Sequence, residues 1–230
     1  MENIEVAGDG FGKMPLIGDD APAFEAETTN GKIKFPHDYK GKWVVLFSHP
    51  ADFTPVCTSE IATFAALQDR FKELDAELVG LSVDSVSSHL AWIKNIQEKV
   101  RYGQYDGQAV DFPIISDLKM DIAKKYGMIQ PSSSDTKAVR AVFIIDPRGK
   151  IRAILYYPLS TGRNFAEISR LLQALQYTDK YNRSTPANWQ PGEPVLASAP
   201  NDLKAMRDRI DDPGELSCQD WFFCFDEAKQ

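Results

Sequence analysis

Apolar and polar positions along this chain follow two rhythms. Trp43-Val44-Val45-Leu46-Phe47 is a short unbroken apolar run, and Glu77 to Asp84 and Val139 to Ile145 hold others rich in Val, Ile and Leu. Runs of this length between turn residues predict buried strands. Ile151 to Tyr157 extends the series after Asp146-Pro147-Arg148-Gly149, whose Asp, Pro and Gly suit a type I turn. Ala23-Phe24-Glu25-Ala26 and Lys32-Ile33-Lys34-Phe35 alternate instead, and Asn30-Gly31 between them predicts a hairpin. Phe112 to Asp117 predicts one more short strand.

The second rhythm is helical. Ile61, Phe64, Ala65, Leu67, Gln68 and Phe71 recur at helical spacing and predict a helix from Thr54 to about Leu74. Leu90, Ile93, Ile96 and Gln97 predict one face of a helix opened by Ser85 or Ser87 and running to about Lys99. Met120 to Tyr126 predicts a short helix stopped by Gly127. Asn164 or Thr161 opens a long helix from Phe165 to about Asp179.

Strands alternating with helices, then a hairpin and a helix, predict a mixed α/β sheet with helices on both faces. The order β-α-β-α-β-β-α, with reactive chemistry at a strand–helix joint, is that of a thioredoxin-like fold. Residues 1–20 read as a lead-in, and the expected domain spans 14–175. Periodicity stops after Lys180. Residues 176–230 are expected to form a C-terminal extension: a proline-rich extended arm, a short helix from Asp202 to Ile210, and an aromatic tail, Cys218 to Phe225. An arm without a core of its own needs a surface, so the tail is expected on the main domain or, in preference, on another subunit.

The joint after Phe47 carries the candidate chemistry. Thr54 suits an N-cap, its hydroxyl accepting a first-turn N–H. Pro55 then falls at N1, Val56 at N2 and Cys57 at N3. A thiol there faces free N–H groups and the positive end of the helix dipole, both of which favour the thiolate. The alternative is an inert buried cysteine at a strand–helix junction.

Composition narrows the setting. A formal charge of −7 argues against a nucleic-acid partner, and no apolar run reaches the length of a membrane span. Met1-Glu2-Asn3-Ile4-Glu5 lacks the pattern of a signal peptide, which predicts a cytoplasmic location. The three cysteines, Cys57, Cys218 and Cys224, are too few and too odd in number for a disulfide framework. With only His37, His49 and His89 as histidines, no metal site and no cofactor are expected.

Pro50-x-x-x-Thr54-x-x-Cys57 after an apolar strand, Asp84-Ser85 after the next, and Arg140 leading the strand before Asp146-Pro147 together resemble the peroxiredoxins over about residues 14–200. The version Ser48-His49-Pro50-x-Asp52-Phe53-Thr54-Pro55-Val56-Cys57-Thr58-x-Glu60 looks like the one-Cys group. Cys218 and Cys224, with Asp220-Trp221 between them, are similar to archaeal-type members in which a C-terminal cysteine resolves the oxidised one.

The resemblance implies a thiol peroxidase reducing hydrogen peroxide and organic hydroperoxides, a homodimer often built into a decameric ring, and a thioredoxin-type or other thiol reductant. It implies Cys57 as nucleophile, Thr54 and Arg140 at the peroxide, and Pro50 shielding the pocket. Glu60 would hold an arginine, Arg163 is a second cation, and His49 would act near the sulfur or serve structure alone. Cys224 is expected to resolve, with Cys218 as exchange partner. Gly41-Lys42-Trp43-Val44 lacks the serine of the lipase-like motif in mammalian-type members, which puts phospholipase activity in doubt although His37 is present. A redox-regulated holdase chaperone and a thioredoxin-like disulfide oxidoreductase are the alternatives; for the second, Thr54 stands where the first cysteine of C-x-x-C would be.

Overall fold

The computed structural model describes residues 14–227, so the expected lead-in lies outside the described residues as far as residue 13. The elements follow the order β1 (Phe24–Thr28), β2 (Gly31–Phe35), β3 (Trp43–Ser48), α1 (Pro55–Glu73), β4 (Ala76–Ser82), α2 (Val86–Lys99), β5 (Ile114–Ser116), α3 (Asp121–Lys125), β6 (Arg140–Ile145) and β7 (Ile151–Tyr157). After these come α4 (Phe165–Tyr181), β8 (Val195–Leu196), α5 (Leu203–Asp211), β9 (Ser217–Asp220) and β10 (Phe223–Asp226). The fold is the expected α/β thioredoxin-like one with a C-terminal extension. Two compact units divide at Phe165 and Ala166.

In the first unit, seven strands form one sheet in the order β2-β1-β5-β4-β3-β6-β7. β4 is parallel to β3 and to β5, while β6 runs antiparallel to β3. All six residues of β3 are buried, which is why its sequence is continuously apolar rather than alternating. The hairpin at Asn30-Gly31 and the turn at Asp146 to Gly149 form as expected; Gly31 and Gly149 take the left-handed backbone that a side chain disfavours. Gly127 stops α3 at φ +65°, and a Cβ there would come within 2.6 Å of Met14 Cγ.

Two readings need correction. The buried stripe of α2 is His89, Trp92 and Ile96, whereas Leu90 is exposed. The helix is turned so that a histidine, not a leucine, faces inward, because a buried polar partner awaits it. The extension also has a small core of its own. Trp189, Val195 and Ala174 are buried together with Tyr177 against them.

In this second unit, β8, β10 and β9 make a three-stranded sheet. Asp202 caps α5 by accepting the Ala205 N–H at 2.8 Å. Arg183 pairs with Asp226 at 2.7 Å.

Candidate active site

The end of β3 is clamped before the helix begins. The His49 N–H donates to the Leu81 carbonyl, continuing the parallel ladder one residue past Ser48. The Asp52 N–H donates to Asp84 Oδ2 at 3.0 Å, and the Ser82 hydroxyl to the same oxygen at 2.7 Å. Asp84 thus ties the loop to the end of β4. Phe53, next in line, has φ +56°, a left-handed backbone uncommon for a bulky residue, and its side chain is 57% exposed.

Thr54 is the N-cap in extended conformation and Pro55 is N1, so Cys57 stands at N3. The hydroxyl does not cap as expected. It donates backward to the Ala51 carbonyl at 2.8 Å and accepts no first-turn N–H. The loop turns tightly enough to offer that carbonyl, and the oxygen keeps its acceptor capacity for another donor. Thr58, one turn on, anchors the helix start by donating both its N–H and its hydroxyl to the Thr54 carbonyl.

Cys57 is fully buried and is the free cysteine among the described residues. Pairing of Phe47 with Val142 brings the first residue of β6 to the joint. That residue is Arg140, whose Nη1 lies 3.3 Å from Cys57 Sγ. Its Nε and Nη2 both donate to the Leu159 carbonyl, at 3.1 and 2.7 Å, so the guanidinium plane is held.

Glu60, one turn after Cys57, accepts from Arg140 Nη1 at 2.7 Å. It also accepts from the Arg163 N–H and Nε, both at 2.9 Å, and from Arg163 Nη2 at 2.7 Å. Arg163 completes its set on the Ser48 and Ala141 carbonyls and lies over the rings of Phe47 and Phe64. Burial pushes the Glu60 carboxyl up, but Arg163 and Arg140 outweigh it and hold the group below the usual carboxylate range. Arg163 therefore orients Glu60, Glu60 orients Arg140, and Arg140 meets the sulfur.

The other sequence-derived residues fall as follows. Pro50 is buried between His49 and the loop. His49 is buried, its Nε2 2.9 Å from Asp52 Oδ1, and its Nδ1 has no hydrogen-bond partner. Burial pushes the His49 imidazole down, against the pull of Asp52. His89 Nδ1 lies 2.8 Å from Asp52 Oδ2. Asp52 stood in the motif and His89 among the three histidines, but neither was given a role; the signal for His89 was its place at i, i+3, i+7 with Trp92 and Ile96. Both Asp52 oxygens thus lie at hydrogen-bond distance from imidazole nitrogens. Cys218 and Cys224 are joined to each other by a disulfide across β9 and β10. Cys224 is buried and Cys218 half-buried.

Among the described residues, no helix is long and apolar enough to cross a membrane. The AhpC/TSA family matches residues 17–154, and the C-terminal domain of 1-Cys peroxiredoxin matches residues 174–212. A peroxiredoxin of Methanosarcina mazei is 59% identical over 218 residues, 94% of this chain and 100% of that protein. One from Aquifex aeolicus is 49% identical, covering 92% of this chain and 96% of that protein. Among solved structures, a yeast mitochondrial 1-Cys peroxiredoxin superposes with a TM-score of 0.79 at 40% identity, over 94% of this chain and 100% of that one. A cysteine-to-serine mutant of peroxiredoxin 6 of Arenicola marina gives 0.79 at 33% identity with the same coverage.

Proposed function

The chain belongs to the AhpC/TSA family as a peroxiredoxin, a thiol-dependent peroxidase, and on that premise we propose that Cys57 is the nucleophile that takes the peroxide oxygen. The observation that carries this reading is the Arg140 guanidinium 3.3 Å from Cys57 Sγ, backed by a buried carboxylate and a second arginine.

In the first step the Cys57 thiolate attacks the hydroxyl oxygen of the peroxide. An S–O bond forms as the O–O bond breaks, and the distal oxygen leaves as hydroxide or alkoxide. Cys57 is then a sulfenic acid. Arg140 offers fixed charge to the thiolate and to the oxygen that gains electrons. The Thr54 hydroxyl accepts from or orients the peroxide, Pro50 keeps water from the sulfur, and His49 bonds the reacting oxygen. Glu60 and Arg163 act through Arg140.

In the second step Cys224 of another copy condenses with the sulfenic acid, giving a Cys57–Cys224 disulfide and water. The Cys218 thiolate then attacks Cys224 and frees Cys57, leaving the Cys218–Cys224 bond that the structure contains. A thioredoxin-type reductant opens that bond at the more exposed Cys218. The acting form is a homodimer, assembled into a decamer in the cytoplasm.

Mass spectrometry of the three cysteines after one equivalent of peroxide tests the scheme. It should show Cys57 oxidised first, then the Cys57–Cys224 link as a dimer on non-reducing gels. Persistence of that dimer in Cys224→Ser would remove Cys224 as resolver. A wild-type Cys57 that stays reduced would remove the whole reading.

A further inference from the structure

The trio His49, Asp52 and His89 is buried and almost fully hydrogen-bonded, yet the chemistry above uses only one of its members. His89 Nδ1 faces both Asp52 oxygens, at 3.1 and 2.8 Å, and its Nε2 faces the Ile115 carbonyl at 3.2 Å. Both ring nitrogens lie at hydrogen-bond distance from oxygens, so the ring is fixed between Asp52 and the β5 backbone. Burial pushes the Asp52 carboxyl up, but the bonds from His49 and His89 outweigh it and keep Asp52 ionised.

An ionised Asp52 can only accept from His49 Nε2. The proton of neutral His49 is therefore on Nε2, and Nδ1 presents a lone pair. The opposite tautomer would set two acceptors against each other and bury an unpaired N–H. The charged groups facing His49 are Asp52, His89 and Asp84, and the Trp92 ring lies 5.1 Å away. Trp92 in turn donates Nε1–H to the Thr58 hydroxyl, beside Cys57 in α1.

We propose that Asp52 and His89 are positioning residues for the peroxidase reaction, locking His49 as its Nε2–H tautomer so that the buried Nδ1 accepts a hydrogen bond from the O–H of the transferred oxygen. That O–H belongs to the peroxide before attack and to the Cys57 sulfenic acid after it, so no proton need move. The proposal rests on the reading of His49 at the reacting oxygen.

Nitrogen-15 NMR of the reduced full-length protein tests the lock directly. His49 should be protonated at Nε2 alone. Protonation of His49 at Nδ1 overturns the proposal without any variant. Asp52→Asn should then mix the His49 tautomers and slow single-turnover oxidation of Cys57 roughly tenfold, the low end for losing a group that orients a functional histidine.

His49→Gln should slow it at least as much, and adding Asp52→Asn to His49→Gln should cost nothing further. If His49→Gln leaves the rate unchanged, the role of His49 itself falls, and the proposal with it. If His49→Gln slows the reaction while Asp52→Asn neither mixes the tautomers nor changes the rate, the role of His49 stands and the positioning falls.

Discussion

Cys57 and the Cys218–Cys224 pair are sulfur sites of opposite construction. Cys57 is fully buried at N3 of α1, and its neighbours form a chain of charged groups drawn from α1, β6 and the segment before α4. Cys218 and Cys224 sit on four-residue strands whose remaining positions are mostly half-buried or exposed. The first site spends three buried ionic side chains on one sulfur. The second has backbone ladders and a sulfur bond. A thiolate in the role proposed for Cys57, meeting peroxide in one geometry, gains from preorganised charge, because charge placed in advance costs no reorganisation during reaction. In the proposed cycle the tail pair exchanges with partners, and the access lies at half-buried Cys218, since Cys224 is as buried as Cys57.

The largest expected effect on this contrast comes from Cys57→Ser. Peroxide consumption with a thiol reductant should fall to the buffer background. Turnover sustained by Cys218 and Cys224 alone would erase the distinction between the sites.

Next is Arg140→Met, which keeps length but removes the charge. The second-order rate with peroxide should drop about 100- to 1000-fold, the usual loss for one preorganised donor, in a protein that circular dichroism shows folded. A rate near wild type would mean that the helix terminus suffices and the ionic chain is only structural.

Glu60→Gln leaves two buried guanidiniums without their carboxylate. It should cost about 3 kcal/mol in urea unfolding, as broken buried pairs do. Its folded-state pKa is depressed. Its contribution is thus present above the ordinary carboxylate value of about 4.3 and is lost as pH falls through the lower folded value. Wild type should therefore lose stability on acidification through that window, and Glu60→Gln should lack this component. An equal acid loss in the variant would show that Glu60 is not the titrating group.

The smallest effect belongs to Cys218→Ser. Reduction of the linked dimer should slow and the dimer accumulate on non-reducing gels, while far-ultraviolet circular dichroism stays unchanged. Unchanged recycling would show that Cys218 is no exchange partner.

Much of this protein is local and was legible in the residues alone. The apolar run of Trp43 to Phe47, the spacing of Ile61, Phe64, Gln68 and Phe71, and Pro55 just inside a helix are short-range facts, because strand and helix periods act over a few residues. They put Cys57 at N3 without any knowledge of the sheet. The resemblance supplied Arg140 and left Arg163 open as a second cation. What the tertiary structure decided is partnership. Arg140 lies 83 residues from Cys57 and is brought in by the register of β6 against β3, while Arg163 lies 103 from Glu60 and arrives on the segment between β7 and α4. Amphipathic spacing in α2 pointed to Leu90, but a helix with a narrow apolar stripe turns toward whatever its buried polar residue can bond, and here His89 found Asp52. The Thr54 hydroxyl shows the same limit at one residue: a cap was predicted from its identity, but the hydroxyl donates to the Ala51 carbonyl and accepts no first-turn N–H.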